Sequence, residues 1–180
     1  FPTSASQRVL CLSLDASSSI FYLYDASYFL NEFAWAHSNV TTQTVATNVT
    51  SAQRSQIVAS AVQYDRIIVI SRDWKPTIST AQRQLVQALI DSGRPLAYCS
   101  LGSPYHINMF TGMKNFLCGF SSHYAVQMQM ADVLAGAAPL SGNWPVAMPD
   151  GVVVPPSRAF FPTAEAGVDN WSAYDGPVCR

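Results

Sequence analysis

The sequence predicts an α/β domain whose mostly parallel sheet lies between two layers of helices, and three observations carry that expectation. Short, continuous apolar runs recur: RVLCLSL from Arg8 to Leu14, RIIVIS from Arg66 to Ser71 and LAYCSL from Leu96 to Leu101. Strands apolar on both sides are those of a parallel sheet covered on both faces. Segments with apolar residues at helical spacing lie between these runs, and polar or turn-forming residues mark the junctions. Apolar strand, helix, apolar strand, repeated, is a doubly wound sandwich. Right-handed crossovers then favour a flavodoxin-like topology.

Arg8 to Leu14 is the first buried strand, ending at Asp15 and a serine cluster. Ile20 to Ala36 is apolar on most faces and long enough for a buried helix. Thr42 to Ala46 alternates, as a strand near the sheet edge does. Thr50-x-x-Gln53 has the form of a capping box, followed by Ile57, Val58, Ala61 and Val62 at helical spacing. After the strand at Arg66 to Ser71, Ser79-x-x-Gln82 opens another helix carrying Leu85, Val86, Leu89 and Ile90. Gly93 stands where a helix ends in a left-handed residue. Leu96 to Leu101 and Phe116 to Phe120 are further strands. Tyr124 to Leu134 is the last helix, with Val126, Met130, Val133 and Leu134 on one side. The pattern stops after Pro149. Two regions are therefore expected: an α/β domain over residues 1–150, and a Pro- and aromatic-rich tail over 151–180 packed on the domain or on a partner.

With 180 residues, 49% of them hydrophobic, the chain can bury a substantial core without metal or dense cross-linking. Charged residues make up only 12%, about half the ~25% of ordinary soluble domains. Glycans, uncharged polar groups or a face covered by a partner account for such a deficit. A net charge of −1 offers no basic stripe for nucleic acid or for an anionic membrane surface. No apolar run approaches the ~20 residues that span a bilayer. The start, FPTSASQ, has neither the basic nor the apolar region of a signal peptide, as an N-terminus left by processing would.

Three sequons, at Asn39, Asn48 and Asn170, point to a secreted or lumenal glycoprotein. Cys11, Cys99, Cys118 and Cys179 permit three pairings in an oxidising compartment. The first three sit in apolar runs, where a cysteine also serves as a small buried hydrophobe.

In a doubly wound sheet, ligands bind outside the carboxyl ends of the strands. The residues that follow those ends include Asp15, Arg72, Asp73, Trp74, Lys75, Tyr105, His106 and His123. An aromatic ring beside carboxylates is what a sugar site uses, which makes Asp15, Asp73, Trp74, Tyr105 and His106 the ligand-binding candidates. The same residues also have structural readings: aspartates cap helices, and tryptophan packs at interfaces. Glycosidase chemistry needs two carboxylates flanking the scissile bond, and Asp15 and Asp73 come from strands expected to be neighbours. Ser100-Leu-Gly-Ser-Pro lacks the first glycine of a nucleophile elbow, and neither a Walker lysine nor GxGxxG is present. His37, His106 and His123 have no cysteine or glutamate at metal-ligand spacing, so no metal and no cofactor is expected.

Three segments carry a family resemblance: Ser100 to Tyr105 (SLGSPY), Ala131 to Gly136 (ADVLAG) and Gly142 to Val146 (GNWPV). Their order within Arg8 to Pro149 resembles the C-terminal α/β domain of family 3 glycoside hydrolases, most closely the β-N-acetylhexosaminidase branch. The family's closing segment is usually Gly-(Arg/Lys)-Leu-Pro-Val, and Asn143 and Trp144 depart from it. The resemblance implies a domain standing beside a catalytic barrel. The family's nucleophilic aspartate and its Lys-His-Phe-Pro-Gly motif belong to that barrel, and neither motif is found here. The acid/base glutamate that the β-glucosidase branch supplies from this domain has no matching loop around Glu32 or Glu165. No catalytic residue carries over. The expectation is an accessory or interaction domain, not an enzyme on its own, that packs on a catalytic barrel or another subunit. The alternatives are a subunit of an extracellular glycoprotein assembly, or a small secreted carbohydrate-binding domain with a glycan as its partner.

Overall fold

A computed structural model of the chain describes residues 3–16 and 24–139. They form a five-stranded, wholly parallel sheet in the order β2-β1-β3-β4-β5. The strands are β1 (Val9–Leu14), β2 (Val40–Val45), β3 (Arg66–Ser71), β4 (Leu96–Ser100) and β5 (Asn115–Cys118). The helices are α1 (Ser27–Ala36), α2 (Ser51–Ala61), α3 (Thr80–Asp91) and α4 (Tyr124–Ala135), with a 3-10 turn at Pro104–Met109. This is the expected doubly wound sandwich. The expected boundary at residue 150, the tail over 151–180, Asn143, Trp144, Asn170 and Cys179 lie outside the described residues.

The continuous apolar runs exist because the three central strands are covered on both faces. In β1, Leu10, Leu12 and Leu14 join Ile67, Val69, Tyr98 and Phe116 in a core beneath α2 and α3. Val9 and Cys11 face the other way and join Ile68, Ile70, Cys99 and Leu117 beneath α1 and α4. Phe29 and Phe33 of α1 are both 0% exposed, and burial of each contributes about 2–3 kcal/mol. Their rings stack at 6.0 Å, and His37 stacks on Phe33 at 4.4 Å. The Thr3 hydroxyl donates to the Leu134 carbonyl at 3.0 Å, so His37 Nε2, 2.6 Å away, is the donor to Thr3 Oγ1. That chain of bonds joins the start of the chain to α1 and α4.

Several sequence expectations need correction. The helix expected from Ile20 begins at Ser27, whose amide bonds the Asp25 carboxylate at 2.9 Å and so ends the preceding loop. It is not buried all round: Tyr28 is 42% and Trp35 87% exposed. Apolar content was a poor guide to burial there because α1 covers only one side of the sheet. The capping box at Thr50 is complete, but that at Ser79 is half formed. Ser79 Oγ accepts the Gln82 amide, while the Gln82 side chain turns to the Asp15 and Val45 carbonyls.

Candidate functional site

The strand carboxyl ends gather the loops after β1, β3, β4 and β5 at one pole, as the fold requires. Register sets their heights: Leu14 lies level with Ser71, and Ser71 with Ser100. Two fully buried glutamines hold these loops, one from each helical layer. Gln82 of α3, 1% exposed, donates to the Asp15 carbonyl at 2.9 Å and to the Val45 carbonyl at 3.1 Å. Gln127 of α4, 0% exposed, donates to the Asp25 and Ser122 carbonyls at 2.6 and 2.7 Å and accepts the Phe29 amide at 3.1 Å. Each satisfies backbone groups that would be costly to bury alone.

The loops after β3 and β4 are zipped together. Leu101 N–H donates to the Ser71 carbonyl at 2.8 Å, and Ser103 N–H to the Asp73 carbonyl at 3.3 Å. The approach is so close that a Cβ on Gly102 would lie 2.7 Å from the Asp73 carbonyl oxygen, so the position requires glycine. His106 fastens the same two loops from beneath. Its Nε2 lies 2.8 Å from the Lys75 carbonyl, which can only accept, so Nε2 carries the proton. Nδ1 then accepts from the Tyr98 hydroxyl at 3.2 Å, with Ser100 Oγ at 3.4 Å donating instead to the Ser103 carbonyl at 2.7 Å. Burial lowers the pKa of His106, against opposing contributions from the Lys75 carbonyl and the Asp73 charge. The ring is neutral and structural.

The five ligand-binding candidates therefore separate. Asp73 and His106 are buried at 2% and 0% exposure, and the Asp73 carboxyl accepts the Lys75 amide at 3.3 Å. Asp15 is half-buried and follows β1, the strand paired with β3, which Asp73 follows. Trp74 and Tyr105 stand outward, 47% and 38% exposed, on the two zipped loops.

A second aromatic group at this pole was missed by sequence reasoning. Tyr24, Tyr28 and Tyr124 form a triangle with ring centroids 5.8, 6.1 and 5.7 Å apart, and His123 packs on Tyr24 and Tyr124 at 5.3 and 4.3 Å. His123 caps α4 by accepting the Ala125 amide on Nδ1 at 3.3 Å. Arg72 at the end of β3 donates to the Tyr24 carbonyl at 3.4 Å. The i, i+4 spacing of Tyr24 and Tyr28 was a visible signal. Its partner Tyr124 was not, because only the sheet order tells that α1 and α4 share a face. The triangle is too tight to enclose a ligand, its centre being only about 3.4 Å from each centroid, so it offers an outer surface and no cage.

Among the described residues with a resolved shift, no carboxyl at this pole is raised. Asp25 beside the tyrosines has its pKa lowered by bonds from Ser27, with the Arg72 charge adding to the effect. A general acid needs a raised carboxyl. Asp132 has one, through burial, but it lies in the last turn of α4 at the opposite pole. Among the described residues no group of three or more His, Cys, Asp and Glu side chains is placed to hold a metal ion. Cys11, Cys99 and Cys118 are free, buried thiols, and desolvation pushes Cys11 up to about 12 and raises the other two as well. Among the described residues no helix is long and apolar enough to cross a membrane.

Fold and pole together define a doubly wound α/β domain whose strand-end loops are closed on themselves and rimmed by aromatic rings. Such a domain also occurs within larger glycoside hydrolases. The chain matches 26% of the structure of a family 3 β-N-acetylglucosaminidase from Paenibacillus sp. str. FPU-7, over 73% of its own length, with 20% identity and a TM-score of 0.64. It also matches 16% of a fungal multi-domain family 3 β-N-acetylglucosaminidase that contains a GCN5-related glucosamine N-acetyltransferase region. There the match covers 81% of the chain, with 13% identity and a TM-score of 0.66. The likeness expected from SLGSPY and ADVLAG is thus met at the level of fold, while GNWPV lies outside the described residues. No family model and no curated protein matches the chain.

Proposed function

We propose that the chain is a non-catalytic accessory domain of the kind that stands beside the catalytic barrel in family 3 β-N-acetylhexosaminidases. It acts by packing its strand-end pole on such a barrel, or on another subunit. One observation carries the reading: at this pole the polar candidates Asp73 and His106 are turned inward, while Trp74, Tyr105, Tyr28 and Tyr124 are turned out. Exposed aromatics are enriched at partner interfaces, and only 12% of the chain is charged. The partial coverage of both solved enzymes supports it, since the chain spans about a quarter of one and a sixth of the other. Intact mass and sizing of native material provide the test. A longer polypeptide or a co-eluting barrel is expected, with release of a separate partner by Trp74→Ala combined with Tyr28→Ala. A lone 19.6 kDa species unaffected by those changes contradicts the reading.

The half-exposed pair Trp74 and Tyr105, held on loops that His106 makes rigid, favours a second reading as a carbohydrate-binding surface. Glycan-array binding abolished by Trp74→Ala supports it, and absence of any binder at millimolar sugar dismisses it.

A further inference from the structure

The β2 strand is an open edge of unusual composition. Among the described residues it hydrogen-bonds only to β1, and its four central residues Thr41, Thr42, Gln43 and Thr44 are all exposed, so the described helices cover neither face of it there. Its sequence, VTTQTV, contains no charge, proline or glycine. Proteins usually block such edges with lysine, proline or a bulge, because a row of unpaired N–H and C=O groups is a template for another strand. The other edge differs: β5 is short, Phe116 to Cys118 are buried, and Lys114 precedes it. Six residues of β2 present about 20 Å of pairing edge.

Two sequons bracket this edge. Asn39-Val40-Thr41 begins it, and Asn48-Val49-Thr50 follows its end by a short turn; both asparagines are exposed. We propose that β2 is a self-pairing edge and that N-linked glycans at Asn39 and Asn48 keep it from pairing with a second copy of this chain. A two-fold axis between Thr42 and Gln43 would set the two β2 strands antiparallel, Thr41 opposite Thr44 of the second copy, as an isologous contact. The strand is uncharged, so no like-charge repulsion opposes that pairing. A glycan on either asparagine would project at the ends of the paired strands and obstruct the approach. The inference rests on passage through a glycosylating compartment, which the sequons point to, and is independent of which domain the strand-end pole contacts.

The full chain secreted from a eukaryotic host tests this. Intact mass should show both sites occupied, and light scattering a monomer. The doubly substituted Asn39→Gln/Asn48→Gln chain should form dimers at rising concentration, with β2 amides slowing in hydrogen exchange. Adding Thr42→Lys to it should restore the monomer. Should the substituted chain fail to fold, enzymatic glycan removal from the folded protein replaces it. Empty sites in the secreted chain overturn the proposal. So does a glycan-free chain that stays monomeric with unchanged β2 exchange, or one whose association survives Thr42→Lys. Asn39 lies at the opposite end of β2, and Asn48 follows its carboxyl end, away from the zipped loops after β3 and β4; failure of the accessory-domain reading would show separately, as turnover by the isolated chain.

Discussion

His106 Nε2 lies 2.8 Å from the carbonyl oxygen of Lys75, and this contact makes a neutral histidine the fastener between two strand-end loops. Protonation would give Nδ1 a second N–H facing the Tyr98 hydroxyl that now donates to it. The folded pKa is lowered from 6.5, mainly by desolvation, so as pH falls the unfolded chain takes up the proton first. The stability contributed by the neutral ring is complete above about 6.5 and declines as pH falls through the folded pKa, by up to about 1.4 kcal/mol per pH unit. His123, whose pKa burial also lowers, contributes with the same sign. Urea unfolding at a series of pH values should show His106→Gln less stable by about 1–3 kcal/mol at pH 8, with a shallower loss on acidification. An unchanged slope would remove His106 from this role.

Much of this was legible in the sequence. RVLCLSL, RIIVIS and LAYCSL gave their strands because burial on both faces leaves room for few polar residues, here the small serines near their ends. Thr50 and Gln53 marked a helix start because capping is local. The site was legible only as a list of loops. Whether Asp73 or Trp74 faces water depends on how the loop after β4 closes over Asp73, and that rests on Gly102 and His106, contacts between separate strands. The Tyr24, Tyr28 and Tyr124 cluster depends on α1 and α4 sharing a face, which periodicity cannot convey.

Gly102→Ala should destabilise by about 1–3 kcal/mol, since its Cβ would meet the backbone of Asp73 and Trp74, which cannot rotate away. Gly119→Ala offers a comparison: its Cβ would meet the Val126 and Met130 side chains, and a Met130→Ala change should relieve part of the cost. Thermal melts of the three variants check this, and equal rescue of Gly102→Ala by trimming neighbouring side chains would count against the backbone-contact account.

Gln127→Leu should strand the Asp25 and Ser122 carbonyls and the Phe29 amide, lowering stability by at least about 2 kcal/mol. Exposed Gln84→Ala should stay within about 0.5 kcal/mol of the parent. Denaturant midpoints compare them directly. A cost for Gln127→Leu no larger than for Gln84→Ala would show that water satisfies these groups.

Cys11, Cys99 and Cys118 should resist alkylation in the native protein, because burial both blocks access and suppresses the thiolate. Mass spectrometry after brief iodoacetamide treatment should find these three unlabelled when folded and labelled in denaturant. Rapid native labelling of any of them would mean that its strand opens.

The proposal that chemistry is absent from this chain meets its most direct test in the turnover of an aryl N-acetyl-β-glucosaminide by the purified protein. A rate indistinguishable from the uncatalysed reaction is expected, because Asp73 is buried and no raised carboxyl lies at the strand-end pole among the described residues with a resolved shift. Clear turnover, abolished by Asp15→Asn or Asp73→Asn, would contradict it.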